Sequence, residues 1–505
     1  MTISAYGSGA YRAATPNRLV STRNELTDLE RQLSTQQRAE SYGDLGMDRR
    51  VSLDLNEKVS TLDAWLEGIT RGNVNLNIAS KAVENYAKLT SETVNDTRSN
   101  TYIPSSTGRS APQVLAEEKF KQTLDLLNTQ VNGRYLFSGK TSDVQPTATY
   151  AEMIDGDGAG RAGLRQMIDE RRQADLGVGG LGRLTTGGAG ATATIADANP
   201  VHSYGFKLAG ATSSSAALTP TYTAGPPADL TVTVASLPAV GDTLRVKLAL
   251  PDGTEEEIVL TARAPGTTGN AADSFEIGTD VNTTAANLRA SITAAIGKEA
   301  ATTLSAASSQ VAARNFFAGS TNSPPLRVPG PPYDTATAAP APGTAANTVI
   351  WYKGDDGSDP ARSTSSIQVD KGQIVGTGAR ANEEAFRIGL AQFAVMAVET
   401  FPANDANSQP RYEAMIARVS DRLAFGNGAQ KPAEIITELG SAQTSLARAK
   451  ERHESTKNYL TGALADVETV SKEEVAVQIL ALQTQLQASY ETTSILSKLT
   501  LTNYL

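Results

Sequence analysis

Residues 472–505 read KEEVAVQILALQTQLQASYETTSILSKLTLTNYL. Val475, Ile479, Leu482 and Leu486 fall at spacings of 4, 3 and 4, which lays one apolar stripe along a helix. Gln483, Gln485 and Gln487 stand among them, and no charged residue separates Glu474 from Glu491. Neither Pro nor Gly interrupts the run, so a helix of many turns is permitted. A helix cannot bury a narrow stripe against itself. It requires a partner helix, from this chain or from another copy.

The opposite end of the chain offers one. Residues 1–16 are small and polar and read as a flexible lead, with a helix from Asn17. There Leu19, Leu26, Leu29 and Leu33 recur at spacings of 7, 3 and 4, an a/d heptad seam. Two glycines within Ser41–Gly46 break the pattern. A second helix is expected from Arg50 to Ser99, where Leu62, Ile69, Leu76 and Val83 repeat every seven residues and Trp65, Ala79 and Tyr86 fill the second heptad position. A third follows Pro112, with Phe120, Leu124, Leu127 and Val131. It ends at Asn132-Gly133, a type I′ turn signal, ahead of a short strand at Arg134–Gly139. Helical spacing returns at Asn382–Phe401, Tyr412–Leu423 and Pro432–Leu460, and Gly462 loosens it before the closing helix.

Between about 145 and 375 the composition turns to Gly, Ala, Thr, Ser and Pro. Leu230–Val234, Leu244–Leu250 and Glu257–Ala262 alternate like strands, the last two joined by the turn Pro251-Asp252-Gly253. Thr283–Ile296 reads as a helix capped by Thr283 or Thr284, with Phe275–Ile277 paired nearby. Val349–Tyr352 reads as a strand leading back to the helical part. The expected fold is mainly α with a β-rich (α+β) middle insert, the N- and C-terminal helices packed together as a discontinuous helical bundle or coiled coil. Three domains follow: a terminal coiled coil from 1–42 and 462–505, a helical bundle from 43–145 and 345–461, and an insert at 146–344. The insert carries a small α+β domain near 225–320, flanked by low-complexity loops at Gly177–Gly190 and Pro324–Pro342, and its core is expected to be self-contained. Met1 and Leu505 would then lie near one pole.

With 505 residues the chain can hold about three or four domains of roughly 150 residues. A net charge of −9 argues against a general nucleic-acid or anionic-membrane binder. Cys is absent, which excludes disulfide scaffolds, zinc ribbons and thiol nucleophiles. Two His, His202 and His453, leave almost no material for histidine metal sites or Ser–His–Asp triads. No apolar run reaches transmembrane length and no cleavable signal precedes residue 20, so the chain reads by default as cytosolic, unless it leaves by a route that reads no cleaved signal.

The enzyme-like motifs yield to simpler readings. The spaced glycines of Gly177–Gly182 lack the strand before and helix after that a dinucleotide site needs. Asp155-Gly-Asp157-Gly lacks the later glutamate of a calcium loop and reads as a solvated turn. His453 lies on an apolar heptad position and reads as a core residue, and Glu255-Glu256-Glu257 as a strand edge made resistant to pairing. No catalytic, cofactor-binding or metal-binding residue is expected.

Four stretches carry a resemblance to the flagellin superfamily of bacterial flagella, most closely to its hook-associated protein 3 branch, the hook–filament junction subunits. They are Arg38-Ala-Glu-Ser-Tyr42-Gly-Asp-Leu-Gly46, Asn132-Gly-Arg-Tyr-Leu-Phe-Ser-Gly139, Val349–Gly354 with Ala381–Phe386, and Leu482–Tyr490 with the terminal Leu499-Thr-Leu501. The resemblance spans roughly 1–145 and 345–505. The Ser-Gly-x-Arg-Ile-Asn run of filament flagellins is absent, and Gln37-Arg38-Ala-Glu-Ser41 stands in its place. The resemblance implies a non-enzymatic, extracellular subunit exported through the flagellar type III apparatus. It would self-assemble through Leu19, Leu26, Leu29, Leu33, Val475, Ile479, Leu482 and Leu486. Its partners would be further copies, another hook-associated protein, the flagellin filament and an export chaperone, without nucleic acid, membrane insertion or cofactor. A filament flagellin is the alternative. An adhesin or carbohydrate-binding protein, acting through the insert, is the reading from another class.

Overall fold

A computed structural model describes residues 8–99, 102–103, 105–426 and 428–498. The chain divides into two compact units. The terminal unit comprises Met1–Arg71, Gln368–Ile374 and Thr444–Leu505, and the central unit Gly72–Ile367 and Val375–Gln443. In chain order the helices are α1 (Ser8–Thr35), α2 (Arg49–Ser99), α3 (Ala111–Leu127), α4 (Tyr150–Asp155), α5 (Leu164–Leu176), α6 (Val281–Glu299), α7 (Ser305–Ala318), α8 (Glu384–Val398), α9 (Ser408–Leu423), α10 (Pro432–Glu468) and α11 (Lys472–Lys498). The division into units falls within α2 and within α10. The expected fold class holds: long terminal helices enclose a β-rich middle in the chain, and α1 packs against α11.

In the central unit, the hairpin β1 (Gln130–Val131) and β2 (Arg134–Tyr135) turns through Asn132 and Gly133, both at positive φ (50° and 78°), as a type I′ turn demands. The chain after it pairs with the segment ahead of α8: Gly139 N–H donates to Ala379 O (3.2 Å) and Ala381 N–H to Phe137 O (2.8 Å). Two stretches that are distant in sequence, 132–139 and 381–386, thus meet, and Phe137 stacks edge-on against Phe386 at 5.8 Å. Around them α3, α5, α7, α8 and α9 form a helical core. Gln113, fully buried at the start of α3, donates to Met396 O (2.9 Å) and Glu399 O (2.8 Å) and so ties α3 to the end of α8.

The β-rich part contains two four-stranded sheets. One takes the order β3 (Thr185–Gly187), β4 (Thr192–Ala196), β7 (Asp229–Val234), β6 (Leu218–Thr223), all antiparallel. In the other, β10 (Ser274–Glu276) runs parallel to β9 (Glu255–Arg263), followed by β8 (Thr243–Ala249) and β5 (Lys207–Ser213). Helix α6 packs on strands of both sheets and closes a core that takes in residues from Leu184 to Ala307. Short pairs complete the unit's β structure: β11 (Leu326–Arg327) with β12 (Ala341–Pro342), and β13 (Ser366–Asp370) with β14 (Gln373–Gly376), the latter pair lying across the unit boundary in sequence.

Several local expectations change. Helix α1 begins at Ser8, not Asn17, so Pro16 lies inside it, while residues 1–7, Leu499–Leu501 and Leu505 fall outside the described residues. Helix α10 continues through Gly462 to Glu468, because its tertiary partners outweigh one glycine's propensity of about 1 kcal/mol. Val349–Tyr352 is not a strand of a sheet; it threads the core, joined to its neighbours by isolated bridges at Thr348 and Tyr352. Helix α6 is capped by Asp280, whose carboxylate accepts from Thr283 N–H (2.9 Å), rather than by Thr283 or Thr284. Gly177–Gly190 and Pro324–Pro342 are built segments holding β3, β11 and β12, and Gly182 packs so closely on Phe206 and Leu304 that no side chain would fit.

The insert's core is also not closed on itself. Phe317 of α7 packs edge-on against Phe120 of α3 (6.1 Å) and Trp351 (5.3 Å), and Trp351 Nε1–H donates to Phe317 O (3.0 Å).

Candidate assembly interface

The terminal unit is organised by the seam between α1 and α11. Leu29, Val475 and Ile479 are buried there, and Leu26, Leu33, Leu482 and Val470 pack against them half-buried. Of the eight residues expected to carry assembly, six are brought together here, and Val470 joins them. Leu19 and Leu486 are half-buried and lie outside that cluster. Along most of the helix pair, then, only one thin line of side chains leaves water.

Where the two helices end, the backbone locks their register. Gln36 sits at positive φ (60°) and its carbonyl accepts from Val470 N–H (3.1 Å), while Arg38 N–H donates to Glu468 O (2.8 Å). Between them, Gln37 and Thr469 form an antiparallel bridge. Arg38 adds a side-chain bond from Nη2 to Asp466 O (3.1 Å) and an ion pair to Asp48 (3.6 Å). The break after α1 and the break after α10 are therefore one joint, cross-linked by main chain. The Glu468 carboxylate secures it from below, accepting from Ser52 Oγ (2.5 Å) and Asn56 Nδ2 (3.1 Å). Further along the same unit, Lys457 pairs with Asp63 (2.6 Å) and His453 stacks on Trp65 at 5.2 Å. His453 is buried, bonded through Nε2 to Val369 O, which is the core role its heptad position implies.

A second apolar surface faces outward. At 3.6 residues per turn, Ile479, Leu482 and Leu486 lie within about 40° of Val475, whereas Leu480, Val477 and Ile495 lie about 140–200° away. Val477 (66% exposed), Leu480 (63%) and Ile495 (58%) are among the most exposed large apolar side chains of the unit, and Val20 on α1 is similar at 59%. Tyr42, Met47, Val51 and Leu53, in the chain that follows α1, are also exposed, Met47 at 96%. Sequence periodicity passed over both sets because it registers the seam that is already paired. A signal was present in α11, where Val477 and Leu480 sit between seam positions with no charge to explain them. Exposed apolar residues grouped in this way mark surfaces that meet another chain.

Residues 10–142, covering all but the first residues of α1 through the β1–β2 hairpin, match the family model of the bacterial flagellin N-terminal helical region. The match supports the bacterial flagellin family. It spans roughly a quarter of the chain, and comparison with curated proteins found no match. Flagellins are structural rather than enzymatic proteins, exported to form the extracellular flagellum, where they self-assemble into a polymer. No helix among the described residues is long and apolar enough to cross a membrane, and none of them form a cluster of three or more acidic or His residues suited to a metal ion. The calcium-like loop is a turn held by its own side chain: Asp157 accepts from Ala159 N–H (3.1 Å), Arg161 N–H (3.0 Å) and Arg161 Nε (2.6 Å).

Proposed function

We propose that the chain is a structural subunit of the hook–filament junction of the bacterial flagellum. The observation that carries assembly is the α1–α11 pair, which uses one stripe within the chain and leaves Val20, Val477 and Leu480 turned outward. A polymer contact covering such residues gains roughly 1.5–3 kcal/mol for each large side chain fully buried. Residues 1–42 and 462–505 serve in this reading as the assembling coiled-coil domain, 43–145 and 345–461 as the helical bundle and 146–344 as the variable insert. Leu19, Leu26, Leu29, Leu33, Val475, Ile479, Leu482 and Leu486 hold the pair in the geometry the polymer needs. The junction assignment rests on Gln37-Arg38-Ala-Glu-Ser41, which replaces the filament-type run and whose Arg38 is committed to the joint. Another hook-associated protein, the filament and an export chaperone are the partners this role requires, with export through the type III apparatus.

Filament flagellin is the second reading, and the match to the flagellin N-terminal region is equally compatible with it. Labelling the protein on isolated flagella separates the two: a single band between hook and filament supports the junction, and label along the shaft overturns it. Deleting residues 472–505 should leave a folded, soluble monomer that no longer assembles. Rings or filaments formed by that truncated chain would remove the basis for the assembly role of α11.

A further inference from the structure

Within the central unit, α7, α8 and α9 together with the β8–β9 turn surround a cleft of about 430 Å³, inside the range of small-ligand sites at roughly 300–1,000 Å³. In its buried part lie Gln310 of α7 and Gln392 of α8, 5% and 4% exposed. Gln310 Nε2 and Gln392 Oε1, a donor and an acceptor, are buried without a hydrogen-bond partner, and so is Arg387 Nε. Native interiors seldom leave such atoms unpaired, because each loses its water without recompense. Two such amides lining one cleft point to a partner from outside the chain.

The lining carries three arginines and three carboxylates. Arg314 and Arg422 are exposed and Arg387 is half-buried, all three lining the cleft, and none has a carboxylate within ion-pair distance among the described residues. Arg422 spends one N–H on Asp252 O (3.1 Å). The acidic residues of the lining are occupied or remote: Asp252 pairs with Arg418 (2.8 Å), Glu384 accepts from Gln430 N–H (3.0 Å), and Asp421 is exposed, beyond ion-pair reach of the three guanidiniums. A chain with 54 acidic side chains and a net charge of −9 thus keeps three arginines together and unneutralised. Guanidinium groups present paired N–H donors that match the oxygens of carboxylates and phosphates.

We propose that this cleft binds a small oxyanion-bearing compound, a carboxylate or a phosphate. Arg314, Arg387 and Arg422 hold the anion, and a neighbouring amide or hydroxyl of the ligand bonds Gln310 and Gln392. The cleft belongs to the central unit, whereas α1 and α11 belong to the terminal unit. Calorimetric titration of the full chain with inorganic phosphate and, separately, with succinate in low-chloride buffer tests it. Saturable one-site binding of either probe is expected, weakened more than threefold by Arg314→Gln and by Gln392→Leu, and the probe that binds identifies the source of the oxyanion. Arg314 is exposed, so R314Q should keep the wild-type melting temperature and serves if Q392L does not fold. Absence of saturable binding for both probes, or a change of threefold or less in R314Q, overturns the proposal.

Discussion

Asp252 shows how one side chain can serve two levels of structure. Its carboxylate accepts from Thr254 N–H (3.0 Å) and Thr254 Oγ1 (2.7 Å), which makes the Pro251-Asp252-Gly253 turn. The same carboxylate pairs with Arg418 of α9 and so fastens the sheet's hairpin to a helix. Burial opposes its charge, but the Thr254 bonds and the Arg418 guanidinium outweigh burial and hold its pKa below the ordinary carboxylate value. A depressed folded-state pKa adds stability above the unfolded value, near 3.9, and that stability is lost as pH falls through the lower folded value. Asp252→Asn should therefore lower unfolding free energy by about 2–3 kcal/mol at pH 7, and the gap to wild type should close below about pH 4 in denaturant titrations. Gly389 is a second decisive position. A Cβ there would strike the Tyr86 hydroxyl, which donates to Ala385 O (2.5 Å) in a fully buried site. Gly389→Ala should lose about 3 kcal/mol, and a Tyr86→Phe background should relieve only part of that loss, because the ring carbons of residue 86 still lie 2.8 and 2.9 Å from the added Cβ, as thermal melts of the four-variant cycle would reveal.

At the scale of elements, α11 carries two faces with different fates. Its seam face is matched by α1 inside the chain, while Val477 and Leu480 stay largely exposed. The double substitution Val477→Lys, Leu480→Lys should change monomer stability by less than about 0.5 kcal/mol and abolish polymerisation followed by light scattering. Normal polymers from that variant would exclude this face from the contact. Helices α5 and α7 illustrate the opposite case, elements that periodicity did not expose. Helix α5 is rich in charge, yet Glu170 and Asp175 are buried in ion pairs with Arg327 (2.5 Å) and Arg171 (2.7 Å). Helix α7 buries Ser305, Ser308, Ser309 and Gln310 along with its alanines, so its inward face carries little hydrophobic signal. Ser308 Oγ bonds the Asp175 carboxylate (2.7 Å), which joins the two helices.

At the scale of the molecule, the central unit is not a helical bundle with a detachable β insert. Its α5 and α7, encoded within the insert, pack on α8, and Phe317 stands in the aromatic cluster with Phe120 and Trp351. Removing residues 146–344 should expose that cluster and yield aggregated or unfolded protein. Removing only 178–303, with a short linker from Gly177 to Leu304, should retain the helical part, because the Asp175–Ser308 bond keeps the cut ends near each other. Circular dichroism and size-exclusion chromatography of the two deletions check this; equal behaviour of both would contradict it.

The heptad spacing of Leu26, Leu29, Leu33, Val475, Ile479 and Leu482 was legible because a long helix with one buried stripe writes that stripe at a fixed period. The hairpin at Asn132-Gly133 was legible because backbone with positive φ accepts few residue types. Strands β4–β6 were not, since their Thr-, Ala- and Gly-rich runs become strands only when neighbouring strands satisfy their backbone. The cleft between α7, α8 and α9 was also invisible in one dimension: Gln310, Gln392 and Arg387 are unremarkable until packing buries Gln310 Nε2, Gln392 Oε1 and Arg387 Nε without partners and sets Arg314 and Arg422 beside them. Local periodicity and turn chemistry are written residue by residue. Which polar groups lose solvent, and which find partners, depends on contacts between segments hundreds of residues apart, and only the tertiary fold decides it.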